Sequence, residues 1–265
     1  TTQITVPALP KVCEGGTCPN NLYSKQINPD LDEPNVVYGD SSHIILIGGL
    51  WNSLDDIYLK NVLTGSETLV SRHSTLQQFP VISGNYVAWY EYNNEPQIWI
   101  KNLATGTEQL FVTGIAHYPH ISGNRLQVGN KIYDIPSGNV VAQIPLYGGI
   151  FDNDLTNARI EGDYVVYTNT QPNVLTQQIM LFDIRTNTTR MISDGQRRYV
   201  RPSLSGDFIS YSSYDLNKQY LYRISTETVV DTIDNALWGY VGGSRLAYHD
   251  PNTMAVYLYS FPDIS

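Results

Sequence analysis

The stretch VISGNYVAW at residues 81–89 places a Gly-Asn turn between two apolar runs, the second of which contains two aromatic residues. Gly accepts the positive φ of a tight hairpin turn, and β-branched and aromatic residues favour the flanking strands. Related stretches are HISGN at 120–124, RIEGDYVVY at 159–167 and SLSGDFISY at 203–211, with weaker copies VVYGD at 36–40 and YVGGSRLAY at 240–248. The turn glycines are Gly39, Gly84, Gly123, Gly162, Gly206 and Gly243, separated by 45, 39, 39, 44 and 37 residues. This spacing indicates a radial β-repeat.

Each repeat continues beyond its hairpin. In the second unit, IWI at 98–100 predicts a third strand, residues 103–106 a turn, and residues 108–112 a fourth strand. The same third-strand pattern recurs at 57–59, 131–133, 180–182 and 220–222, each time followed by a turn that contains Thr or Ser. Helical periodicity is not sustained anywhere over three turns. The sequence therefore predicts an all-β chain of four-stranded antiparallel units.

The sixth unit ends early. After its third predicted strand at 255–259 only residues 260–265 remain, which leaves no room for a fourth strand. Because proteins pair or cover strand edges, we expect the N-terminal run at 3–9 to close this blade. The prediction is a six-bladed β-propeller in one domain. Residues 1–33 would form the closing strand and the Cys13–Cys18 loop, and residues 34–265 the propeller.

These motifs resemble those of the TolB-like six-bladed β-propeller family over residues 30–261. The resemblance rests on Ser83-Gly84-Asn85, Ser122-Gly123-Asn124 and Ser205-Gly206-Asp207 in the hairpins and on Thr64-Gly65 and Thr105-Gly106 in the later turns. It implies the architecture but no single activity, because that superfamily contains periplasmic and cell-surface binding proteins, polysaccharide lyases and peptidase-associated propellers. The third unit departs from the pattern, with only Gly129-Asn130 between its second and third strands. We expect that blade to be small or irregular.

The composition limits the classes of partner that the protein is expected to bind and the compartment in which it is expected to lie. A net charge of −9 argues against nucleic acid, which requires a basic footprint, although Arg197, Arg198 and Arg201 form a local basic patch. Only 15% of the residues are charged, a balance typical of secreted and surface β-proteins. No apolar stretch is long enough to span a bilayer. The chain begins at Thr1 without Met, as it would after signal removal or excision from a longer protein. We therefore predict an extracellular, periplasmic or cell-surface location.

The two cysteines, Cys13 and Cys18, are separated by the four residues Glu14-Gly15-Gly16-Thr17. In an oxidising compartment this spacing favours a local disulfide that holds the N-terminal segment. Two reduced thiols and a metal-binding pair are the alternatives.

No strong catalytic motif is present: the sequence lacks G-x-S-x-G, H-E-x-x-H, a phosphate loop and G-x-G-x-x-G after a strand. We therefore expect a binding or interaction module for a protein or carbohydrate ligand. One alternative is a carbohydrate-active enzyme such as a polysaccharide lyase, with His117 as general base beside Tyr118 or Tyr199. Another is a structural subunit of a surface assembly.

The residues just before each predicted first strand are the candidate ligand contacts, because the loops that carry them gather on one face of a propeller. The predicted binding residues are Gln78, His117, Tyr118, Asn157, Tyr199, Arg201 and Trp238, with Phe79, Arg159 and Tyr240 beside them. Their aromatic and hydrogen-bonding character suits sugars or peptide side chains. The alternative is that these aromatics pack between blades.

No cofactor is predicted. Asp152 and Asp154 alternate with other oxygen ligands as in a calcium loop, but the glycine and glutamate of such a loop are missing, so calcium is only a weak alternative. His117 and His120 lie three residues apart, which on an extended strand points them to opposite sides and disfavours a shared metal.

Overall fold

The computed structural model describes residues 26–27, 35–47, 50–61, 67–115, 117–145, 158–170 and 176–261, which form β-strands and turns and no helix. The strands make six antiparallel sheets, in which hydrogen-bonded neighbours are also neighbours in sequence. The predicted all-β class is confirmed.

The first three sheets each contain four strands. Sheet 1 contains β1 (Gln26–Ile27), β2 (Asn35–Ile47), β3 (Leu50–Asn61) and β4 (Glu67–Ser71). Sheet 2 contains β5 (Leu76–Ser83), β6 (Tyr86–Asn93), β7 (Glu95–Asn102) and β8 (Glu108–Thr113). Sheet 3 contains β9 (Pro119–Ser122), β10 (Arg125–Val128), β11 (Lys131–Asp134) and β12 (Val140–Gln143).

The last three sheets repeat this order, and the sixth has three strands within the described residues. Sheet 4 contains β13 (Arg159–Glu161), β14 (Tyr164–Thr170), β15 (Gln177–Asp183) and β16 (Thr188–Met191). Sheet 5 contains β17 (Tyr199–Ser205), β18 (Phe208–Ser213), β19 (Lys218–Arg223) and β20 (Thr228–Asp234). Sheet 6 contains β21 (Leu237–Gly242), β22 (Arg245–Asp250) and β23 (Ala255–Ser260).

The described chain divides into two compact units. The N-terminal unit holds the described residues up to Gly129 together with Tyr133–Asn139. The C-terminal unit holds Asn130–Ile132 and the described residues from Val140 onward.

In the N-terminal unit, the core lies on both faces of sheet 2. Ile82, Val87 and Trp89 pack with Ile57 of sheet 1. Side chains alternate between faces along a strand, so the intervening Ala88 points to the opposite side, where it joins the cluster that includes residues of sheet 3. Trp89 has no exposed surface. Burial on both faces explains why the strands read as apolar runs rather than as simple alternation.

The C-terminal unit follows the same rule in sheet 4. Val165 and Tyr167 of β14 join one buried cluster, whereas Val166 between them joins the cluster shared with sheet 5. A further cluster connects Leu221 of sheet 5 to Leu246 of sheet 6. The core of each unit is thus a series of apolar layers between successive sheets.

In three repeats the residue before the turn glycine joins one sheet to the next. Ser83 Oγ accepts the Gly123 N–H at 2.8 Å in the N-terminal unit. In the C-terminal unit Glu161 Oε1 accepts the Gly206 N–H at 2.8 Å, and Ser205 Oγ accepts the Gly243 N–H at 3.2 Å. The recurrent Ser-Gly pair therefore has two functions: Gly supplies the left-handed turn, and the preceding side chain bonds the next turn along the chain.

The prediction for the first repeat is wrong in one respect. Gly39 does not form a turn but lies within β2, opposite Ile57. The apolar run 44–47 extends the strand past it, and the hairpin forms where Ile47 pairs with Leu50. The following strand, β3, begins at Leu50, seven residues before the third strand that the sequence predicts at 57–59. A single glycine permits a turn but does not impose one.

The remaining units agree more closely with expectation. All four strands of sheet 3 have four residues, so the predicted small blade is confirmed. The proposed closing strand at 3–9 and the Cys13–Cys18 pair lie outside the described residues and stay predictions.

Candidate functional site

Three first strands contain the same backbone irregularity. Phe79, Arg201 and Trp238 have left-handed φ angles of 53°, 52° and 55°. Each lies at a register shift in the pairing of its strand, between 78 and 81 in β5, between 200 and 203 in β17, and between 237 and 240 in β21. Left-handed backbone is uncommon for bulky residues and persists only where the surroundings impose it. We call these three residues the bulge residues.

In the C-terminal unit, Trp238 makes two hydrogen bonds and two ring contacts. Its backbone N–H bonds Ser212 Oγ at 2.9 Å, and its indole N–H bonds the Tyr214 hydroxyl at 2.7 Å. One ring contact is a stack on His249 at 4.9 Å between centroids, and the Arg201 guanidinium lies 4.9 Å from the indole centroid. This cation–π geometry fixes two bulge residues against each other.

A network of buried hydrogen bonds supports the backbone of this bulge. Gln219 Oε1 accepts the Gly239 N–H at 3.0 Å and the Ser212 hydroxyl at 2.7 Å. Ser210 donates its hydroxyl to the Gly239 carbonyl at 3.1 Å. A Cβ at position 239 would lie 2.5 Å from the Gln219 side chain, so only glycine fits beside Trp238. The network fixes the backbone on which the indole is mounted.

A second arginine extends this surface. Arg198 lies over the Tyr214 ring at 5.6 Å and donates from Nε to Gln177 Oε1 at 2.7 Å. Arg201 is exposed and forms no ion pair with any residue that the structure describes. Asp215 Oδ2 accepts the backbone N–H of Arg198 at 3.2 Å. We name the group Arg198, Arg201, Tyr214, Trp238 and His249 the Arg201–Trp238 surface; it combines flat rings with unpaired positive charge.

Tyr199 has a different environment. It is 3% exposed and packs edge-on against Tyr211 and Tyr220, with centroids 5.6 and 5.7 Å away. Burial, followed by a hydrogen bond to Asp194, raises the pKa of its hydroxyl far above the ordinary value. Tyr199 is therefore a core residue and not part of the Arg201–Trp238 surface.

In the N-terminal unit, the corresponding bulge lies in an aromatic cluster. Phe79 stacks on Tyr118 with centroids 3.6 Å apart, and Tyr90 contacts both rings edge-on. All three side chains are partly exposed. Gln78 precedes the bulge and pairs with Tyr90 across the strands. The cluster offers an apolar platform.

The other predicted site residues have separate environments. His117 packs against Gly129, where an added Cβ would lie 3.0 Å from its ring. His120 is buried in β9. Asn157, Asp152 and Asp154 lie outside the described residues. Within the described part of the chain, no group of three His, Cys, Asp or Glu residues is arranged to hold a metal ion.

Sequence inspection missed a polar cluster centred on His73, in the N-terminal unit. His73 Nδ1 lies 2.6 Å from Glu91 Oε2, and its Nε2 lies 2.8 Å from Glu108 Oε1. Thr75 donates to Glu91, and Lys101 forms a 3.2 Å ion pair with Glu108. The residues come from a loop and three strands, so no local motif signals the cluster.

Ser71, His73 and Glu91 have the connectivity of a serine hydrolase triad, with Ser71 Oγ 3.4 Å from His73 Nε2. However, Ser71 is 4% exposed and donates its hydroxyl to Glu108 at 2.8 Å. The Ser71 hydroxyl is thus donated to a carboxylate rather than to the histidine, and a carboxylate this close would repel the negative charge that develops in acyl transfer. The arrangement fits a hydrogen-bonded link between sheets 1 and 2 rather than an activated nucleophile.

No family model and no curated protein matches the sequence. Solved structures do. TolB from Acinetobacter baumannii aligns with a TM-score of 0.55 and 16% identity, covering 78% of this chain and 53% of that one. Pyrococcus horikoshii acylaminoacyl peptidase aligns with a TM-score of 0.65 and 14% identity, covering 91% of this chain and 44% of that one. Kluyveromyces lactis Hsv2p aligns with a TM-score of 0.63 and 13% identity, covering 92% of this chain and 76% of that one.

These likenesses show a β-propeller fold. The chain spans about half the length of the TolB and peptidase structures. The bulge residues lie within the first strands of sheets 2, 5 and 6, rather than just before those strands as the sequence predicted. Within the described residues, no helix is long and apolar enough to cross a membrane.

Proposed function

We propose that this β-propeller is a protein-binding module outside the cytoplasm and that the bulge residues form its ligand contacts. The observation that carries the proposal is the repeated left-handed bulge, which presents a Phe, an Arg and a Trp on strained but firmly supported backbone. Strain retained at several equivalent positions suggests a functional reason for it.

The chemistry of the bulge residues favours a protein ligand. Trp, Tyr and Arg dominate the energetics of protein interfaces, especially where they are held rigidly before binding. The Trp238 indole is held by a hydrogen bond to Tyr214, by the His249 ring and by the Arg201 guanidinium, so it would lose little side-chain entropy in a complex. The net charge of −9 still argues against nucleic acid.

A carbohydrate ligand is the second candidate. The Phe79–Tyr118 stack offers the flat apolar face on which sugar rings pack, and Gln78 adds hydrogen-bonding capacity beside it. Catalysis receives less support. Tyr199, one of the two tyrosines predicted to assist His117, is buried with a raised pKa and cannot readily supply a phenolate.

Selection from a phage-displayed random peptide library, run in parallel with a glycan array, tests this proposal. Peptides enriched on the wild-type protein should lose binding to Trp238→Ala and Arg201→Ala. They should retain binding to the control Met254→Ala, which removes a side chain that is 74% exposed in the same unit. Enrichment of glycans alone, lost in Phe79→Ala, would replace the protein ligand with a carbohydrate. Peptide binding unaffected by all three bulge variants would refute the proposed surface.

A further inference from the structure

A cleft lies between sheets 2 and 3 in the N-terminal unit. Its volume is about 220 Å³, below the roughly 300–1,000 Å³ of pockets for drug-sized ligands, so it suits an occupant the size of a single ring. Ile100 and Ile135, both buried, contribute apolar lining. Tyr86, Asn102 and Gln109 contribute an aromatic ring and two side-chain amides.

The register of the strands brings these side chains together. Tyr86 of β6 pairs with Asn102 of β7, and Ile100 of β7 pairs with Gln109 of β8. Residues 100 and 102 point to the same face of the sheet, because side chains alternate along a strand. The cleft is therefore set by the pairing of β6, β7 and β8.

Among the residues that the structure describes, none that lines the cleft is charged. Lys101 and Glu108 alternate with the lining residues along β7 and β8, so they lie on the opposite face of the sheet, where they form an ion pair at 3.2 Å. A charge taken out of water requires a counter-charge. The neutral lining thus favours an uncharged occupant.

The two amides have hydrogen-bonding capacity to spare. Asn102 Oδ1 accepts the backbone N–H groups of Ala104 at 2.9 Å and Thr105 at 3.3 Å. Because only the amide oxygen can accept, these bonds fix the side chain and leave its Nδ2 without a partner among the described residues. Gln109 is exposed, and its amide bonds no described residue either. Free donors and an acceptor thus lie beside apolar surface.

A second cleft, at the same place in the repeat, lies in the C-terminal unit and has a volume of about 260 Å³. Tyr164 pairs with Asp183, and Leu181 pairs with Arg190, as their counterparts do in sheet 2. Charged groups replace both amides there and are engaged within the protein. Asp183 accepts two backbone N–H groups, and Arg190 forms an ion pair with Glu227. The free amides are thus what distinguishes the N-terminal cleft.

We propose that the cleft between sheets 2 and 3 binds one neutral sugar residue. Tyr86 and Ile100 contact the apolar face of the sugar ring. Asn102 Nδ2 donates to one hydroxyl group, and the Gln109 amide donates to or accepts from another, since each sugar hydroxyl can do both. No bulge residue lines the cleft, so this site stands or falls separately from the proposed function.

Saturation-transfer difference NMR with the methyl glycosides of glucose, galactose and mannose tests the site. At least one of the three should bind the wild-type protein, with a dissociation constant in the millimolar range because the ligand is small. Binding of none of them would overturn the proposal.

Asn102→Asp keeps the oxygen that accepts the turn N–H groups, as Asp183 does in sheet 4, and removes only the free donor. It should weaken sugar binding by about fivefold, and so should Gln109→Ala, because each removes one hydrogen bond. Asn93→Asp is the matched control, since it makes the same chemical change at an exposed position at the other end of β6.

The double variant Asn102→Asp/Gln109→Ala should weaken binding by about tenfold or more. Equal affinity of this folded double variant and the wild type would overturn the site. Binding that is lost in Phe79→Ala but kept in the double variant would also overturn it and would assign the sugar to the aromatic cluster instead.

Discussion

The two units use one backbone device for two chemistries. In the N-terminal unit the bulge presents Phe79 to an aromatic cluster, and in the C-terminal unit the same bulge presents Arg201 and Trp238 as a cation–π pair. The supports also differ, because Trp238 rests on hydrogen bonds to Ser212 and Tyr214, whereas Phe79 rests on ring contacts. The repeat thus fixes where a side chain is displayed, and the local sequence sets what it can bind.

The largest loss of stability is expected for a core residue rather than for a bulge residue. Trp89→Ala should cost about 3–5 kcal/mol of unfolding free energy, because it empties a fully buried site between sheets 1 and 2. Phe79→Ala in the same unit should cost clearly less, since its ring is partly exposed. Denaturant titration measures both. Similar losses would make Phe79 a core residue and remove the N-terminal half of the comparison.

A smaller effect should come from the support of the C-terminal bulge. Gly239→Ala places a methyl group 2.5 Å from Gln219 and should cost about 1–3 kcal/mol through overpacking. Gly242→Ala in the same strand is the control, since a Cβ there meets nothing within 4 Å. Equal melting temperatures for the two variants would show that Gln219 does not confine Trp238.

The backbone strain itself can be measured at Arg201. Arg201→Gly should be more stable than Arg201→Ala by about 1 kcal/mol, because only glycine adopts φ of 52° without steric cost. Both variants lose the guanidinium, so their difference isolates the backbone term. If Arg201→Ala proves the more stable of the two by chemical denaturation, the left-handed assignment is wrong.

Much of this fold was predictable because its signals are local. The hairpins at 81–89 and 203–211 form where predicted, since a Gly-Asn or Gly-Asp pair between apolar runs defines a turn without distant contacts. The turn predicted at Gly39 was wrong, because β2 continues through this residue by pairing with β3, which is distant in sequence.

The site was less predictable, since its residues act through distant partners. The sequence did place candidate ligand contacts before the first strands, and Arg201 and Trp238 do form one surface. It could not distinguish them from Tyr199, which packs against Tyr211 of β18 and Tyr220 of β19. The prolines that follow Phe79 and Arg201 were the one local sign of irregular pairing, since proline cannot donate to a strand ladder.

The smallest change in stability is expected in the hairpin turn of sheet 5, compared with the corresponding turn of sheet 2. Asp207 accepts hydrogen bonds from Ser225 and from Arg223 Nε at 2.7 Å, whereas the corresponding turn of sheet 2 carries the neutral Asn85. Burial raises the pKa of Asp207, but these hydrogen bonds and the Arg223 charge outweigh it and leave the pKa below its ordinary value. A depressed folded-state pKa stabilises the protein above the unfolded value, and that stability is lost as the pH falls through the folded one.

Asp207→Asn should therefore reduce stability at neutral pH, by no more than about 0.5 kcal/mol because the carboxylate is partly exposed. It should also reduce the loss of stability below about pH 4. Asn85→Ser should leave the acid profile unchanged. Acid unfolding curves followed by circular dichroism provide the measurement, and an Asp207→Asn profile identical to the wild type would exclude this contribution.

The central claim is that the bulge residues bind a protein ligand, and its most direct test is the affinity of a library-selected peptide for Trp238→Ala. We expect the dissociation constant to rise about tenfold or more, as for an interface residue worth over 1.4 kcal/mol. Met254→Ala should bind like the wild type, and circular dichroism should show both variants folded at the assay temperature. Unchanged affinity of folded Trp238→Ala would contradict the account.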